Sequence, residues 1–349
     1  MKKEKGSGLK LVKTRELKGR HWITTQEWTR EELDTLLQTA FDLKRKHARG
    51  EAHELLKGKT LIMLFYNPST RTRNSFEAGM FQLGGHAHFL SPQATWVRLE
   101  SIKDTVEVLS RYGDAITLRY IRPELPFGEG NRILRTHAKN SHVPVINMEC
   151  ATYHPCQGMA DLMTIKEKFN RIEGKKFLLS WAPNPEPGYT GSECNTNIML
   201  MSKFGLDVTL AHPKDYDVAP FILEAARRNA EEAGGSFEIV NDVKEAYDGA
   251  HVVYAINWPQ WKLINPITDF EKRKEIIQQD SDRNKSWMCS QELMDLAARN
   301  SIYMHAMPFV RGVEVGAEVA DGPHSVIYDE AENRLHAQKG ILVTTIGGL

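Results

Sequence analysis

The residues whose types and order most clearly suggest chemistry are Ser69-Thr70-Arg71-Thr72-Arg73, a run of hydroxyls and arginines. The run follows an apolar segment and a proline and precedes helical spacing, so it predicts the turn from a buried strand into a helix. A helix N-terminus offers free N–H groups and about half a positive charge. Two arginines there oppose the helix dipole unless an anion lies between them. The run therefore predicts a phosphate site; the alternative is a capped helix with two solvated arginines.

Other candidate residues come from separate parts of the chain, each next to the end of a predicted strand or the start of a predicted helix. They are Arg119, His154, Gln157, the segment His305-Ala306-Met307-Pro308, and Arg334. In open α/β sheets, ligands bind at the carboxyl ends of the strands, so these residues are expected to meet the arginine run in one cavity. The ordinary alternatives are a surface salt bridge for Arg119, a structural histidine, and an Arg334–Glu330 pair on one helix face.

The elements that must hold these residues alternate between strand and helix, and the alternation occurs twice. This pattern predicts an α/β fold of two domains, each with a mainly parallel sheet flanked by helices. We expect a basic mobile tail over residues 1–20, a first domain over 21–155 and a second over 156–329, with a last helix over 330–349 packing back on the first. Residues 260–285 read as a polar, irregular connection.

Composition narrows the function classes. Lysine plus arginine and aspartate plus glutamate each number 45 in 349 residues, so the balanced charge disfavours a nucleic-acid partner. No apolar run approaches the roughly 20 residues of a membrane-spanning helix, which disfavours a membrane partner. The 4 cysteines lack metal-ligand spacing and disulfide density. We therefore expect a cytoplasmic protein without a metal.

Taken together, these residues resemble the aspartate/ornithine transcarbamylase family from about residue 22 to the end. The resemblance implies that the run at 69–72 binds the phosphate of carbamoyl phosphate, and that residues 305–307 offer backbone carbonyls to its NH2 group. It further implies that Arg334 closes the site. The residues it assigns to the carbamoyl carbonyl and amide are Arg119, His154 and Gln157, with Arg119, His154 and Thr72 catalytic. Neither a cofactor nor a metal is implied.

The resemblance also implies a homotrimer with sites at subunit interfaces, because Trp96 resembles a tryptophan that some relatives insert into a neighbouring subunit's site. The proline-rich run after Trp181 resembles a knotted branch that includes N-acetylornithine and N-succinylornithine transcarbamylases. A knot in the second domain is therefore expected. The positions implied for the second substrate are Glu149, Asn184, Asn257 and Glu314.

Two departures from that branch bear on the acceptor. Ile256 stands where the acylornithine enzymes have a lysine that pairs with the substrate carboxylate, and Asn184 and Glu186 replace a histidine and a cation. A separate departure, from the ornithine-type enzymes, is Ala306 in place of a cysteine; aspartate-type enzymes have a proline there, so the chemistry does not require a particular side chain at this position. Fewer cations and an added acid favour an acceptor less anionic than N-acetylornithine.

The expected function is transfer of a carbamoyl group from carbamoyl phosphate to the amine of an amino acid or related small molecule, with release of phosphate. The exact amine stays open at this point. Two alternatives remain: catabolic phosphorolysis of a ureido compound to carbamoyl phosphate, and a non-catalytic phosphate-binding scaffold. The second alternative predicts a broken set of site residues.

Overall fold

The computed structural model describes residues 10–92, 95, 99–184, 191–265 and 269–347. Its first unit contains a four-stranded parallel sheet in the order β2-β1-β3-β4. The strands are β1 (Thr60–Phe65), β2 (His86–Leu90), β3 (Ala115–Tyr120) and β4 (Val145–Cys150). All of β4 and nearly all of β1 are buried, as expected for parallel strands covered by helices on both faces.

The first sheet is flanked by helices, the first three of which begin at a residue whose side chain caps the helix. The helices are α1 (Arg30–Ala48), α2 (Thr70–Gln82), α3 (Ile102–Tyr112), α4 (Glu129–Asn140) and α5 (Pro155–Lys168). In α1, Thr29 and Glu32 form a reciprocal capping box. Helix α5 starts with proline at its first position, where a missing N–H costs no hydrogen bond.

The second unit is a five-stranded parallel sheet in the order β7-β6-β5-β8-β9. Its strands are β5 (Lys176–Trp181), β6 (Asp207–Ala211), β7 (Phe237–Val240), β8 (Val252–Ile256) and β9 (Ile302–Met304). Its helices are α6 (Ser192–Lys203), α7 (Pro220–Ala233), α8 (Val243–Tyr247), α9 (Trp261–Ile264), α10 (Phe270–Arg283), α11 (Gln291–Met294) and α12 (Ala317–Ala320). The predicted class, two parallel-sheet α/β units flanked by helices, is confirmed. The predicted knot involves residues 185–190, which lie outside the described residues.

The last helix, α13 (Ile327–Ile346), returns to the first unit and packs against α1, α2 and α5. It lies very close to α1: a Cβ on Gly340 would come within 2.9 Å of the Leu36 carbonyl oxygen. Glycine is therefore required where the two helices approach. Helix α5 packs against α13 on one side and α6 on the other, so it connects the two units.

Two expectations about segments need correction. Part of the expected mobile tail is packed: Leu17 is buried, and the Gly19 N–H donates to the Thr345 carbonyl at 2.8 Å. The stretch expected to be irregular contains α9 and α10. Helix α10 was missed because it buries few apolar side chains and turns Arg273 and Asp280 inward instead.

None of the helices in the described ranges is both long enough and apolar enough to cross a membrane.

Candidate active site

A cavity of about 410 Å³ lies between the carboxyl ends of the two sheets. Most of the residues predicted from the sequence line it. The lining residues are Ser69, Arg71, Thr72, Arg119, Ile121, Glu149, His154, Gln157, Glu193, Ile256, His305, Ala306, Met307, Pro308 and Arg334. Residues from β3, β4 and β8 meet there because parallel strands end at the same edge of each sheet.

The N-terminus of α2 forms one wall. Ser69 is the N-cap, and its Oγ accepts a hydrogen bond from the Thr72 N–H at 3.3 Å. Arg71 lines the cavity and donates to the Met307 carbonyl oxygen of the second unit. Arg73 instead bonds Glu77 at 2.9 Å, with its guanidinium 3.7 Å from the Phe89 ring centroid. Of the two arginines in the run, Arg71 therefore faces the cavity, whereas Arg73 packs behind it, as its resemblance to a structural arginine of the family implies.

Positive charge is concentrated at this wall. Burial, together with the nearby Arg334 and Arg119, lowers the pKa of Arg71. Arg334 is also buried, and burial lowers its pKa as well. Buried cations are stable only when paired or when an anion joins them, so this group of three arginines has the electrostatics of an anion site.

Arg334 connects three elements. Its guanidinium donates to Gln157 Oε1 at 2.6 Å and to Thr72 Oγ1 at 2.9 Å. The alternative pair with Glu330 is absent among the described residues; the Glu330 carboxylate accepts from the His305 N–H at 2.8 Å instead. Arg334 thus fixes the first turns of α2 and α5 relative to each other.

His154 caps α5 at the cavity edge. Its N–H donates to Thr196 Oγ1 at 2.9 Å, and its Nε2 lies 3.3 Å from Glu149 Oε2. A Cβ on Gly158 would come within 2.6 Å of the Thr196 methyl, so glycine lets α5 approach α6. Burial and the three cavity arginines hold the pKa of His154 well below its usual value. The ring is therefore neutral at physiological pH.

Carboxylates form the opposite wall. Glu149 is ion-paired with Arg119. Ser192 Oγ lies 3.2 Å from Glu149 Oε1 and 2.8 Å from Glu193 Oε2. Burial, followed by the charge of Glu149, raises the pKa of Glu193 to about 7. Glu193 was not predicted from the sequence, because an acid in the first turn of a helix is ordinary and carries no functional signal.

The segment after β9 forms the cavity roof. The Met307 N–H donates to His305 Nδ1 at 2.9 Å, and the peptide bond from Met307 to Pro308 is cis. The Met307 carbonyl, predicted to face a ligand NH2 group, accepts from Arg71 in this structure. Ala306 also lines the cavity, where its small side chain leaves room.

Other predicted residues do not line the cavity. Thr70 is exposed, and Asn184 is buried outside the lining. Asn257 donates to the Ala182 carbonyl at 2.7 Å, and Glu314 accepts from the Val310 N–H at 2.9 Å. These last two contacts hold backbone segments together, so the structure gives both residues a structural use. Trp96 lies outside the described residues.

One set of side chains has the spacing of a metal site among the described residues: the ligand atoms of Glu149, His154 and Glu193 lie within 4.8 Å of one another. Glu149 is already ion-paired with Arg119, and Arg71 and Arg334 add further positive charge nearby. This field opposes a divalent cation. We therefore assign these three residues no metal.

Comparison with known proteins agrees with this geometry. Residues 20–167 match the family model "Aspartate/ornithine carbamoyltransferase, carbamoyl-P binding domain", and residues 188–345 match "Aspartate/ornithine carbamoyltransferase, Asp/Orn binding domain". The ornithine carbamoyltransferase of Thermococcus kodakarensis is 39% identical over 95% of this chain and 98% of its own. The N-acetylornithine carbamoyltransferase of Xanthomonas campestris is 36% identical over 94% and 98%.

Solved structures agree as well. A crystal structure of acetylornithine transcarbamylase complexed with acetylcitrulline superposes with a TM-score of 0.85 at 36% identity, covering 94% of this chain and 99% of the other. The ornithine carbamoyltransferase from Pyrococcus furiosus gives 0.81 at 37% identity, covering 95% and 99%. The chain therefore belongs to the aspartate/ornithine carbamoyltransferase family, and its activity is carbamoyl transfer.

Proposed function

We propose that this carbamoyltransferase transfers the carbamoyl group of carbamoyl phosphate to an amine that is less anionic than N-acetylornithine. The observation that carries the proposal is the composition of the cavity wall. Among the described residues, its acceptor side contains Ile256, Glu149 and Glu193, and no lysine. Carboxylates attract a cationic amine and repel the carboxylate of an acylated amino acid. Ornithine and simple diamines are the acceptor classes with the required charge.

The phosphate end of carbamoyl phosphate fits the wall formed by α2. Ser69, Arg71 and Thr72 offer hydroxyl, guanidinium and N–H donors around a helix N-terminus, which is the usual arrangement for binding a phosphate. Arg71 exchanges its contact with the Met307 carbonyl for the phosphate. That exchange frees the carbonyl to accept from the carbamoyl NH2 group.

The carbamoyl carbonyl lies next to Arg119, Thr72 and His154 in this arrangement. Attack by an amine places negative charge on the carbonyl oxygen, and donors aimed at that charge contribute about 3–4 kcal/mol each to transition-state stabilisation. Gln157 addresses the carbamoyl amide. Its orientation is fixed by the 2.6 Å bond that Arg334 donates to its side-chain oxygen.

Alignment of the two substrates supplies much of the remaining acceleration. The cavity is bounded by both units, so carbamoyl phosphate bound to the first unit and an amine bound to the second meet at their reactive atoms. Phosphate leaves with the electron pair of the broken C–O bond, beside Arg71. The steps need neither a covalent intermediate nor a cofactor.

We further propose that the working form is a homotrimer. Large apolar side chains of the first unit are exposed, including Phe81 at 82% and Tyr112 at 72%. Exposed large apolar side chains are candidates for a contact surface, and we assign this contact to other copies of the chain.

The acceptor is tested by supplying carbamoyl phosphate with L-ornithine, putrescine and N-acetyl-L-ornithine in parallel, and measuring phosphate release. We expect a higher kcat/KM for L-ornithine or putrescine than for N-acetyl-L-ornithine. A preference for N-acetyl-L-ornithine would contradict the charge argument. If none of the three amines led to phosphate release, the proposed acceptor class would be wrong.

A further inference from the structure

We propose that the Glu193 carboxylate is the base that takes the proton from the attacking ammonium group of the acceptor. The inference rests on the proposed function, since it concerns the same cavity and the same amine. It adds a role for a residue whose sequence context gives no signal. The argument uses the position of Glu193, its hydrogen bonds and the unsuitability of the other groups in the cavity.

The reaction needs a proton acceptor. A primary alkylamine has a pKa of about 10, so the acceptor arrives as an ammonium ion without a free electron pair. It must lose one proton before the nitrogen can form a bond to the carbamoyl carbon. A second proton leaves the nitrogen when the C–O bond to phosphate breaks, and the departing phosphate takes it. The first proton needs a separate acceptor on the protein.

The proton and charge balance then closes. An ammonium ion, dianionic carbamoyl phosphate and the Glu193 carboxylate give a neutral ureido group, hydrogen phosphate dianion and a protonated Glu193. The C–N bond forms, the C–O bond breaks, and its electron pair leaves on phosphate. Glu193 returns its proton to solvent before the next turnover, so no oxidant or further reactant is required.

Two other residues of the acidic wall are poorly suited to this task. Glu149 is ion-paired with Arg119, and a carboxylate held by a guanidinium is a weak base. The His154 ring is placed against Glu149, and the field of three arginines opposes a positive imidazolium. Glu149 is therefore occupied by Arg119, and His154 is assigned to the oxyanion side of the cavity.

Among the described residues, Glu193 differs from both because its carboxylate is bonded to a hydroxyl and is not paired with a cation. Ser192 Oγ lies 2.8 Å from Glu193 Oε2 and 3.2 Å from Glu149 Oε1. A serine hydroxyl carries one hydrogen, so it can donate to only one of these two carboxylates at a time. Glu149 also accepts from Arg119, so Glu193 is the carboxylate that depends on this shared hydroxyl, and an ammonium ion supplies it with a further donor. Glu193 is thus placed to receive both the cation and its proton.

The electrostatics of the pair also suit a base. A catalytic base works best when its pKa is near the working pH. Burial and the adjacent Glu149 charge raise the pKa of Glu193 to about 7. A carboxyl with its usual value would be too weak to take a proton from an amine.

The test is Glu193→Gln, assayed from pH 6 to 10 with carbamoyl phosphate and whichever of L-ornithine, putrescine or N-acetyl-L-ornithine the wild type uses best. We expect kcat to fall roughly 10²- to 10⁴-fold at pH 7. We expect the KM for carbamoyl phosphate to stay within twofold. With increasing pH, the kcat/KM of the wild type should level off just above pH 7, where Glu193 is ionised. The kcat/KM of the variant should continue to rise toward the pKa of the amine, because without the base only the free amine reacts.

Controls separate a base from a structural group. Glu224→Gln makes the same change on the exposed face of α7 and should leave the pH profile unchanged. Glu193→Asp keeps the carboxylate and should restore part of the activity and the plateau. A Glu193→Gln enzyme that keeps the wild-type profile and loses less than threefold in kcat would overturn the proposal.

A second measurement does not depend on the acceptor. Infrared difference spectra of the free enzyme, wild type minus Glu193→Gln, should show a carboxyl band that titrates near pH 7. Absence of that band would reject the base, even if none of the three amines were turned over. If the wild type shows the band but uses none of the amines, only the acceptor proposal fails.

Discussion

Ile256 brings an apolar side chain into a cavity wall that is otherwise rich in charge. It ends β8 and is 3% exposed, so its side chain faces the enclosed space. We expect Ile256→Lys to improve kcat/KM for N-acetyl-L-ornithine relative to L-ornithine by about 10- to 100-fold, the range of one charged hydrogen bond. Parallel phosphate-release assays measure the ratio.

The matched control is Ile256→Met, which alters shape without adding charge and should leave the ratio within about threefold. A lysine variant with an unchanged ratio would mean that the acceptor carboxylate does not approach β8.

Arg334 acts through geometry as well as charge. Its planar guanidinium bonds Gln157 and Thr72 simultaneously, and a lysine ammonium is a point charge that cannot reproduce this fork. We expect Arg334→Lys to keep the net charge but lower kcat by roughly 10²-fold or more, because misplaced donors lose much of their effect. Steady-state kinetics measure kcat, and thermal unfolding verifies that the variant is folded. If Arg334→Lys kept the wild-type kcat, the positive charge at this position would be sufficient and the guanidinium geometry would not matter.

The residues that sequence reasoning located share one property: each stands next to a strong local signal. Arg71 follows a strand and a proline, and His154 precedes a proline at a helix start, so their positions could be read directly. Glu193 could not be found in this way. Its role depends on Ser192 and on Glu149. Glu149 lies 44 residues earlier, in β4, and only the fold brings it close to Glu193.

At the scale of elements, α13 contains a buried lysine. Lys339 donates to Gln82 Oε1 at 2.9 Å, its Nζ lies 3.4 Å from His53 Nε2, and burial lowers its pKa from 10.5 to about 8. Between pH 8 and 10.5 the unfolded chain therefore binds more protons at this residue than the folded protein. The free energy of unfolding consequently rises with pH across that window. Below pH 8 the folded protein carries the buried ammonium charge, so the full destabilisation applies there.

Substitution isolates this effect. We expect the free energy of unfolding of the wild type, relative to Lys339→Met, to increase between pH 8 and 10.5. Urea unfolding at several pH values measures the difference, and Lys57→Met, whose parent side chain is 80% exposed, is the control that should show no such trend. If the difference in free energy of unfolding between wild type and Lys339→Met did not change with pH, Lys339 would have the same pKa in the folded and unfolded states.

Elements were predicted well where apolar spacing was strong. Strands β3, β5, β6 and β7 belong to the predicted alternation of strand and helix, because each is a short run between turn residues that contains β-forming side chains. Helix α10 was not predicted, because its inward face is partly polar. Arg273 is buried there and donates to the Pro123 carbonyl oxygen of the first unit. Such a contact between distant segments leaves no periodic pattern in the sequence.

At the scale of the whole molecule, the exposed apolar surface of the first unit leads to a prediction about assembly. We expect a solution mass near three times 39.7 kDa by light scattering. Phe81→Glu should lower that mass, because a buried unpaired charge is costly at an interface. Phe221→Glu, at a 46% exposed position in the second unit, is the control. A monomeric wild type would refute the proposed trimer.

Helix α13 has a consequence for when the enzyme becomes competent during synthesis. It supplies Arg334, and most of its surface is buried against α1, α2 and α5, which are made long before it. A ribosome-bound chain that lacks residues 327–346 has an unfilled groove on its first unit and no Arg334 to hold the side-chain oxygen of Gln157. Such a nascent chain cannot turn over substrate, and it exposes apolar surface to chaperones until translation passes this helix. Enzymatic competence therefore requires that synthesis has passed residue 346.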